Sequence, residues 1–149
     1  KKGVGYYVNE LKRNIGGILG LDNHWNIAIV GIGHLGVALA NYQNFVTLGF
    51  NLVALFDQDP KVIGTVQNHV KVEAIDDLSR IVRERGVHIG IIAVPAAFAQ
   101  DVADKLVAAG VKGIWNFAPI KMQVPESMHI VNEDLSIGLS RLSYHITRM

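Results

Sequence analysis

Short apolar runs separated by amphipathic stretches dominate the chain. Residues 27–30, 52–56 and 87–94 are nearly continuous in Ile, Val, Leu, Ala and Phe, and 111–117 and 128–132 are more interrupted versions of the same pattern. Such runs suit strands buried on both faces of a parallel sheet. Between them, apolar residues recur at three- and four-residue steps, as on a helix with one buried face. Leu35, Ala38, Leu39, Tyr42, Phe45 and Val46 lead to Gly49. Leu78, Ile81 and Val82 follow Asp76 and Asp77, which are placed to cap, and lead to Gly86; Arg80, Arg83, Glu84 and Arg85 read as the solvated face of that helix. Phe98, Val102, Leu106 and Val107 lead to Gly110. Residues 62–66 read as a connector and Val70-Lys71-Val72 as a short third strand. Pro95 and Ala118-Pro119 stop the strands before them, and the turn Val124-Pro125-Glu126 precedes the last. This alternation predicts an α/β fold, a Rossmann-like doubly wound, mostly parallel sheet over residues 23–132.

The two ends depart from that rhythm. Residues 1–22 open with the basic, glycine-punctuated Lys1-Lys2-Gly3-Val4-Gly5-Tyr6-Tyr7-Val8. A helix capped by Asn9 then carries Leu11, Ile15, Ile18 and Leu19 and closes at Gly20 and Asp22-Asn23. This segment reads either as a helix packed on the core or as a connector from a preceding domain. Residues 133–149 form a last helix from Asp134 to about 147. Leu135, Leu139, Leu142 and Ile146 make one stripe, with Ile137 and Tyr144 nearly opposite. Apolar residues on two sides suit burial between subunits or against an exchanged partner; a terminal helix with two exposed hydrophobes is the simpler reading.

The chemistry concentrates after the first strand, in Gly31-Ile32-Gly33-His34-Leu35-Gly36. In a strand–turn–helix unit the first glycine permits a tight turn and the second lets the backbone approach a pyrophosphate. The third lets the helix pack close, with the phosphates on the helix's first amides. The second apolar run ends in Asp57, where a carboxylate would accept both ribose hydroxyls of an adenosine. That acid, with Asp59 nearby, favours NAD over NADP, whose 2′-phosphate it would repel; Lys61 softens the preference. Ligands of such sheets gather at strand carboxyl ends: Gly31 to Gly36, Asp57, Val94-Pro95-Ala96 and Asn116-Phe117-Ala118-Pro119.

Composition narrows the class. Half of the 149 residues are hydrophobic and 18% are charged, enough for a core and too apolar for disorder. No cysteine is present, which excludes disulfides, thiolate metal sites and cysteine nucleophiles. A net charge of +1 points neither toward nucleic acid nor away from it. Neither a signal peptide nor a membrane span is visible, so a cytoplasmic location is expected. His24, His34, His69, His88, His129 and His145 have no acid partner at motif spacing, and there is no GxSxG elbow or zinc spacing. The expectation is a chain that binds a dinucleotide without turning it over. A small NAD-dependent dehydrogenase domain and the CoA-binding domain of a ligase are the alternatives.

The glycine loop with Asn41-Tyr42, Phe56-Asp57 before Asp59-Pro60, Val94-Pro95-Ala96, and Lys112-Gly113-Ile114 running into Asn116-Phe117-Ala118-Pro119 resemble the Rex family of redox-sensing transcriptional repressors. Gly3-Val4-Gly5-Tyr6 is similar to the end of that family's winged-helix DNA-binding domain. The resemblance implies a homodimer that holds operator DNA when NADH is scarce and releases it when NADH binds. It places NADH or NAD on Gly31, Ile32, Gly33, His34, Leu35, Gly36 and Asp57. Val94, Pro95, Ala96, Asn116, Phe117, Ala118 and Pro119 would line the nicotinamide half. It also brings Tyr42 and Asp134 near that ring and makes the last helix one that swaps between subunits. Some members carry an aromatic residue after that aspartate; here it is Leu135, an apolar contact without stacking. A pocket closed by Phe117, Pro119 and Leu135 would penalise the charged, oxidised ring over the neutral, reduced one. Most of the DNA-binding domain lies outside this sequence, so these 149 residues alone are expected to bind DNA weakly or not at all.

Overall fold

The computed structural model describes residues 24–148. The expected helix and connector of residues 1–22 lie outside them. The elements are β1 (Trp25–Val30), α1 (His34–Ala40), α2 (Asn44–Thr47), β2 (Phe50–Asp57), β3 (Val66–Gln67), β4 (Val70–Ala74), α3 (Leu78–Glu84), β5 (Ile89–Ile92), α4 (Ala96–Ala109), β6 (Gly113–Asn116), β7 (His129–Asn132) and α5 (Leu135–Thr147). The sheet order is β3-β4-β2-β1-β5-β6-β7, parallel throughout except where β3 pairs with β4. Without the small β3, this is the strand order of doubly wound nucleotide-binding folds.

Chain direction along the sheet reverses at β1, which has β2 on one side and β5 on the other. The register aligns the strand ends. Glu73, Phe56, Val30, Ile92, Asn116 and Asn132 form one row across six parallel strands. The chain therefore leaves the sheet in step at Ala74, Asp57, Gly31, Ala93, Phe117 and Glu133. Backbone bonds continue the ladder one step further, from Gly31 N to Phe56 O at 2.8 Å, Ala93 N to Val30 O at 2.8 Å, and Phe117 N to Ile92 O at 2.9 Å.

Strand alternation divides the apolar residues between two layers. Ala28, Val30, Phe56, Ile92 and Ile114 face α3 and α4, whose Leu78, Ile81, Val82, Val102 and Leu106 are buried against them. Ile27, Ile29, Leu55 and Ile91 face the other way, onto Val37, Ala40 and Phe45 of α1 and α2. Each such fully buried side chain contributes about 1.5–3 kcal/mol. Among the described residues, Asn116 is the one buried polar side chain.

The structure departs from the sequence expectations at five places. The helix expected from Leu35 to Val46 is two, because Asn41 turns its amide back onto Val37 O at 2.8 Å and competes with the helical ladder. The connector over 62–66 runs into β3, half of a hairpin whose turn residues Asn68 and His69 take positive φ (50° and 67°). The strand over 87–94 is only β5: at one end Nδ1 of His88 takes the Asn26 amide at 2.9 Å, and at the other Pro95 opens α4. Asp76 and Asp77 occupy a 3-10 turn and make no side-chain cap. Arg83 and Arg85 do more than face solvent. Arg83 donates to Ala108 O at 3.1 Å, and Arg85 to Val53 O at 2.9 Å and Glu73 at 3.3 Å, tying α3 to α4 and β2. Gly49 and Gly110, with φ of 91° and 98°, end their helices as expected.

Candidate functional site

A crevice of about 430 Å³ opens at the carboxyl ends of β1 and β5, where the sheet's winding reverses. Its walls come from the glycine loop (Gly31, Gly33), the end of β2 (Asp57, Gln58), Ile75 after β4, Ala93 to Pro95 after β5, and Phe98, Asp101 and Val102 of α4.

The three glycines are forced by different things. Gly31 has φ +102°, and a Cβ there would meet Ala93 O at 2.6 Å and Val94 Cγ1 at 2.9 Å. A Cβ at Gly36 would collide with the Gly31 carbonyl. The loop and helix can thus pack on β5 only without these two side chains. Gly33 is different: a Cβ there would meet nothing within 4 Å. The fold does not need that glycine, and the space it leaves opens into the crevice. Gly33 sits at the N-cap of α1 with no side-chain cap, leaving the first-turn amides to an outside acceptor.

Asp57 locks this loop to β2. Its Oδ2 accepts the Ile32 amide at 2.7 Å and its Oδ1 the Asp59 amide at 2.9 Å. A carboxylate offers about four lone-pair sites on two oxygens, so each oxygen keeps one for a hydroxyl in the crevice. Asp101, the other acid of the wall, is held by Lys105 at 2.6 Å.

Of the residues expected at the site, the crevice brings together Gly31, Gly33, Asp57, Val94 and Pro95. Ile32 and Gly36 are buried beneath the loop; His34 is exposed, and Leu35 and Ala96 are half-buried beside it. A second group lies further along the sheet. Phe117 packs on Trp115 with ring centroids 4.6 Å apart, Ala118 is buried and Pro119 is exposed. Asn116 is 0% exposed, with its side chain bonded wholly within the protein. Tyr42 is exposed in the break after α1, its ring against Phe45 and its hydroxyl accepting from Asn44 at 3.1 Å. Asp134 caps α5, its Oδ1 accepting from Ser136 Oγ at 2.7 Å and Ser136 N at 3.0 Å. Those bonds, the hydroxyl's first, hold its carboxyl below the usual range. Leu135 is 63% exposed.

Six wall residues were not among the expected site residues: Gln58, Ile75, Ala93, Phe98, Asp101 and Val102. Ile75 follows the third parallel strand's carboxyl end, a position the strand-end rule already marks. Gln58 simply adjoins Asp57. Phe98 and Asp101 lie one and two turns after Pro95 on the crevice-facing side of α4. Phe98 reads as core by helical spacing, yet it is 44% exposed.

Among the described residues no group of three or more His, Asp or Glu side chains could hold a metal ion, and no helix is long and apolar enough to cross a membrane. An apolar groove of about 480 Å³ lies on the sheet's opposite face, lined by Phe45, Phe50, Ile91, Trp115 and Val131 among others.

Comparison with known proteins decides between readings of this geometry. A family model described as a CoA binding domain matches residues 22–120. The redox-sensing transcriptional repressor Rex of Carboxydothermus hydrogenoformans is 50% identical over 147 residues, 99% of this chain and 71% of that protein. The chain belongs to the Rex family, and its core to the CoA binding domain family. Among solved Rex-family structures, RSP in complex with β-NADH superposes with a TM-score of 0.84 at 39% identity, covering 97% of this chain and 71% of that one. RSP in complex with β-NAD+ and operator DNA gives 0.85 at 40% identity, covering 99% and 68%. These matches support the Rex reading over a dehydrogenase or a ligase domain, and the Rossmann-like sheet agrees with Rex architecture.

Proposed function

We propose that the crevice between β1 and β5 binds NADH and NAD, and that the chain is the sensing and dimerising part of a repressor that releases operator DNA when NADH binds. The observation that carries this is the pairing of Gly33, whose missing side chain leaves room the fold does not need, with Asp57, whose spare lone pairs face the same crevice. A diphosphate would lie on the amides of Gly33 to Gly36, and the adenosine ribose on Asp57. Rex relatives at this identity, and RSP seen with both nucleotides and with operator DNA, support the assignment.

The nicotinamide would extend toward Pro95, Phe117, Ala118 and Pro119. In one chain that end is open, since Pro119, Tyr42, Asp134 and Leu135 are all exposed. A second chain is the natural closure. Leu135, Ile137, Leu139, Leu142, Tyr144 and Ile146 are each 48–72% exposed, and no residue of α5 is buried. A 13-residue helix with that much bare apolar surface is suited to exchange between subunits. Residues 133–149 would then be the dimerisation element and 23–132 the nucleotide-binding domain, while 1–22 would end a winged-helix domain. Closure over Phe117, Pro119 and Leu135 favours the neutral reduced ring over the charged oxidised one, because burying an unpaired charge is costly. That gives NADH the differential affinity a switch requires.

Calorimetric titration with NADH, NAD and CoA tests this reading. One nucleotide per chain is expected, NADH the tighter, with CoA unable to displace it because Asp57 repels a phosphorylated ribose. Displacement of NADH by equimolar CoA would favour the alternative that the family model's description suggests.

A further inference from the structure

Asn116 and Asn132 face each other at the last step of the parallel ladder between β6 and β7. Asn116 is wholly buried, and its side chain organises the loop behind it. Its Oδ1 accepts the Ala118 amide at 2.9 Å, and its Nδ2 donates to Ala118 O and Ile120 O, both at 3.1 Å. The third acceptor of Nδ2, at 2.9 Å, is Oδ1 of Asn132, on the neighbouring strand. One residue on, the Glu133 amide donates to Asn116 O at 2.8 Å, and the next residue, Asp134, caps α5. A two-hydrogen donor is thus shared among three acceptors, two in the loop at 117–120 and one on the strand that delivers the helix.

We infer that Asn132 is a positioning residue that couples the loop at 117–120 to the start of α5, so that nucleotide in the crevice is felt at that helix. The inference rests on the nucleotide reading above. Any shift of the loop under a ring packed on Phe117 and Pro119 redistributes the Asn116 hydrogens among their acceptors. Whatever Ala118 O and Ile120 O lose, Asn132 gains, and the end of β7 moves with the cap of α5. The Glu133–Asn116 backbone bond forms whatever side chain stands at 132, so it cannot report the loop's state in the same way. Asn132 is exposed. Truncating it leaves Asn116 Nδ2 two acceptors, so the fold and the crevice survive while the link is lost.

The test is hydrogen exchange on the full chain, with and without NADH, in the parent, Asn132→Ala and Asn132→Asp; aspartate keeps the accepting oxygen. In the parent, NADH slows exchange at residues 31–36 and, about tenfold, at 137–140, a coupling of about 1.4 kcal/mol. In Asn132→Ala the slowing at 31–36 persists while that at 137–140 falls below about twofold, and Asn132→Asp restores it. An undiminished response at 137–140 in Asn132→Ala overturns the coupling. So does failure of Asn132→Asp to respond, even if the alanine variant does not fold. If NADH changes nothing at 31–36 in the parent, the nucleotide reading itself falls and takes this inference with it.

Discussion

The crevice and the surface beyond it, toward β6 and α5, are built on different principles. At the β1–β2 end the contacts are complete in one chain. Gly31 and Gly36 are fixed by collisions with Ala93 and the loop's own carbonyl, and Asp57 bonds the Ile32 amide. At the β6–α5 end the expected residues are spread over a buried asparagine, a half-buried phenylalanine and an exposed tyrosine, aspartate and leucine. On the function proposed above, the first end is the preformed binder and the second a surface that a partner chain closes, so affinity would belong to one and discrimination to the other, where a ligand would shift a conformational equilibrium.

The sharpest way to break that contrast is within the glycine loop. Gly36→Val drives a side chain into Gly31 and should cost about 3 kcal/mol or more, read as loss of cooperative folding in denaturant. Gly33→Val meets only empty space and should stay within about 1 kcal/mol of the parent, yet weaken NADH at least about tenfold. Equal stability loss in both would remove the distinction between a glycine the fold needs and one the ligand needs.

The open end is tested through α5. Leu139→Glu with Leu142→Glu places charges on a face already exposed in the single chain, so domain stability should be unchanged. Sedimentation should show dimer dissociation raised by about a hundredfold or more, about 2.7 kcal/mol. A dimer unaffected by both charges would show that α5 is not its interface. Next in size is Asp57→Ala, which should weaken NADH and NAD alike by about ten- to thirtyfold, leaving their ratio unchanged. A changed ratio would mean that discrimination reaches the preformed end.

The smallest effect concerns the start of α5. The Ser136 bonds lower the Asp134 pKa in the folded chain, so their stabilisation is present above the unfolded carboxylate's pKa and lost as pH falls through the folded value. Ser136→Ala removes the larger cause, and fraying of the first helical turn should begin at a higher pH. An NMR titration of the Asp134 carboxyl that is identical in both proteins would contradict this.

The same division explains what the sequence revealed. Strands 27–30 and 52–56, the glycine turn and Asp57 were legible because their chemistry is set within thirty residues by backbone sterics and a strand-end acid. The break after Ala40 was not, because helical periodicity continues through Tyr42 and Phe45 while Asn41 competes for the backbone. Arg83 and Arg85 look like solvated charges until the fold brings Ala108 O and Val53 O within reach. Asn116 was singled out by its place at a strand's carboxyl end and by resemblance, as a lining residue. Its bonds to Ala118, Ile120 and Asn132 depend on β6 and β7 lying side by side, which no local pattern encodes.

The most direct test is a crystal structure of the chain grown with NADH. The diphosphate should lie on the amides of Gly33 to Gly36, the adenosine ribose hydroxyls on Asp57, and the nicotinamide beyond Pro95 toward Phe117. A dinucleotide bound elsewhere, or one whose diphosphate avoids those amides, would contradict it.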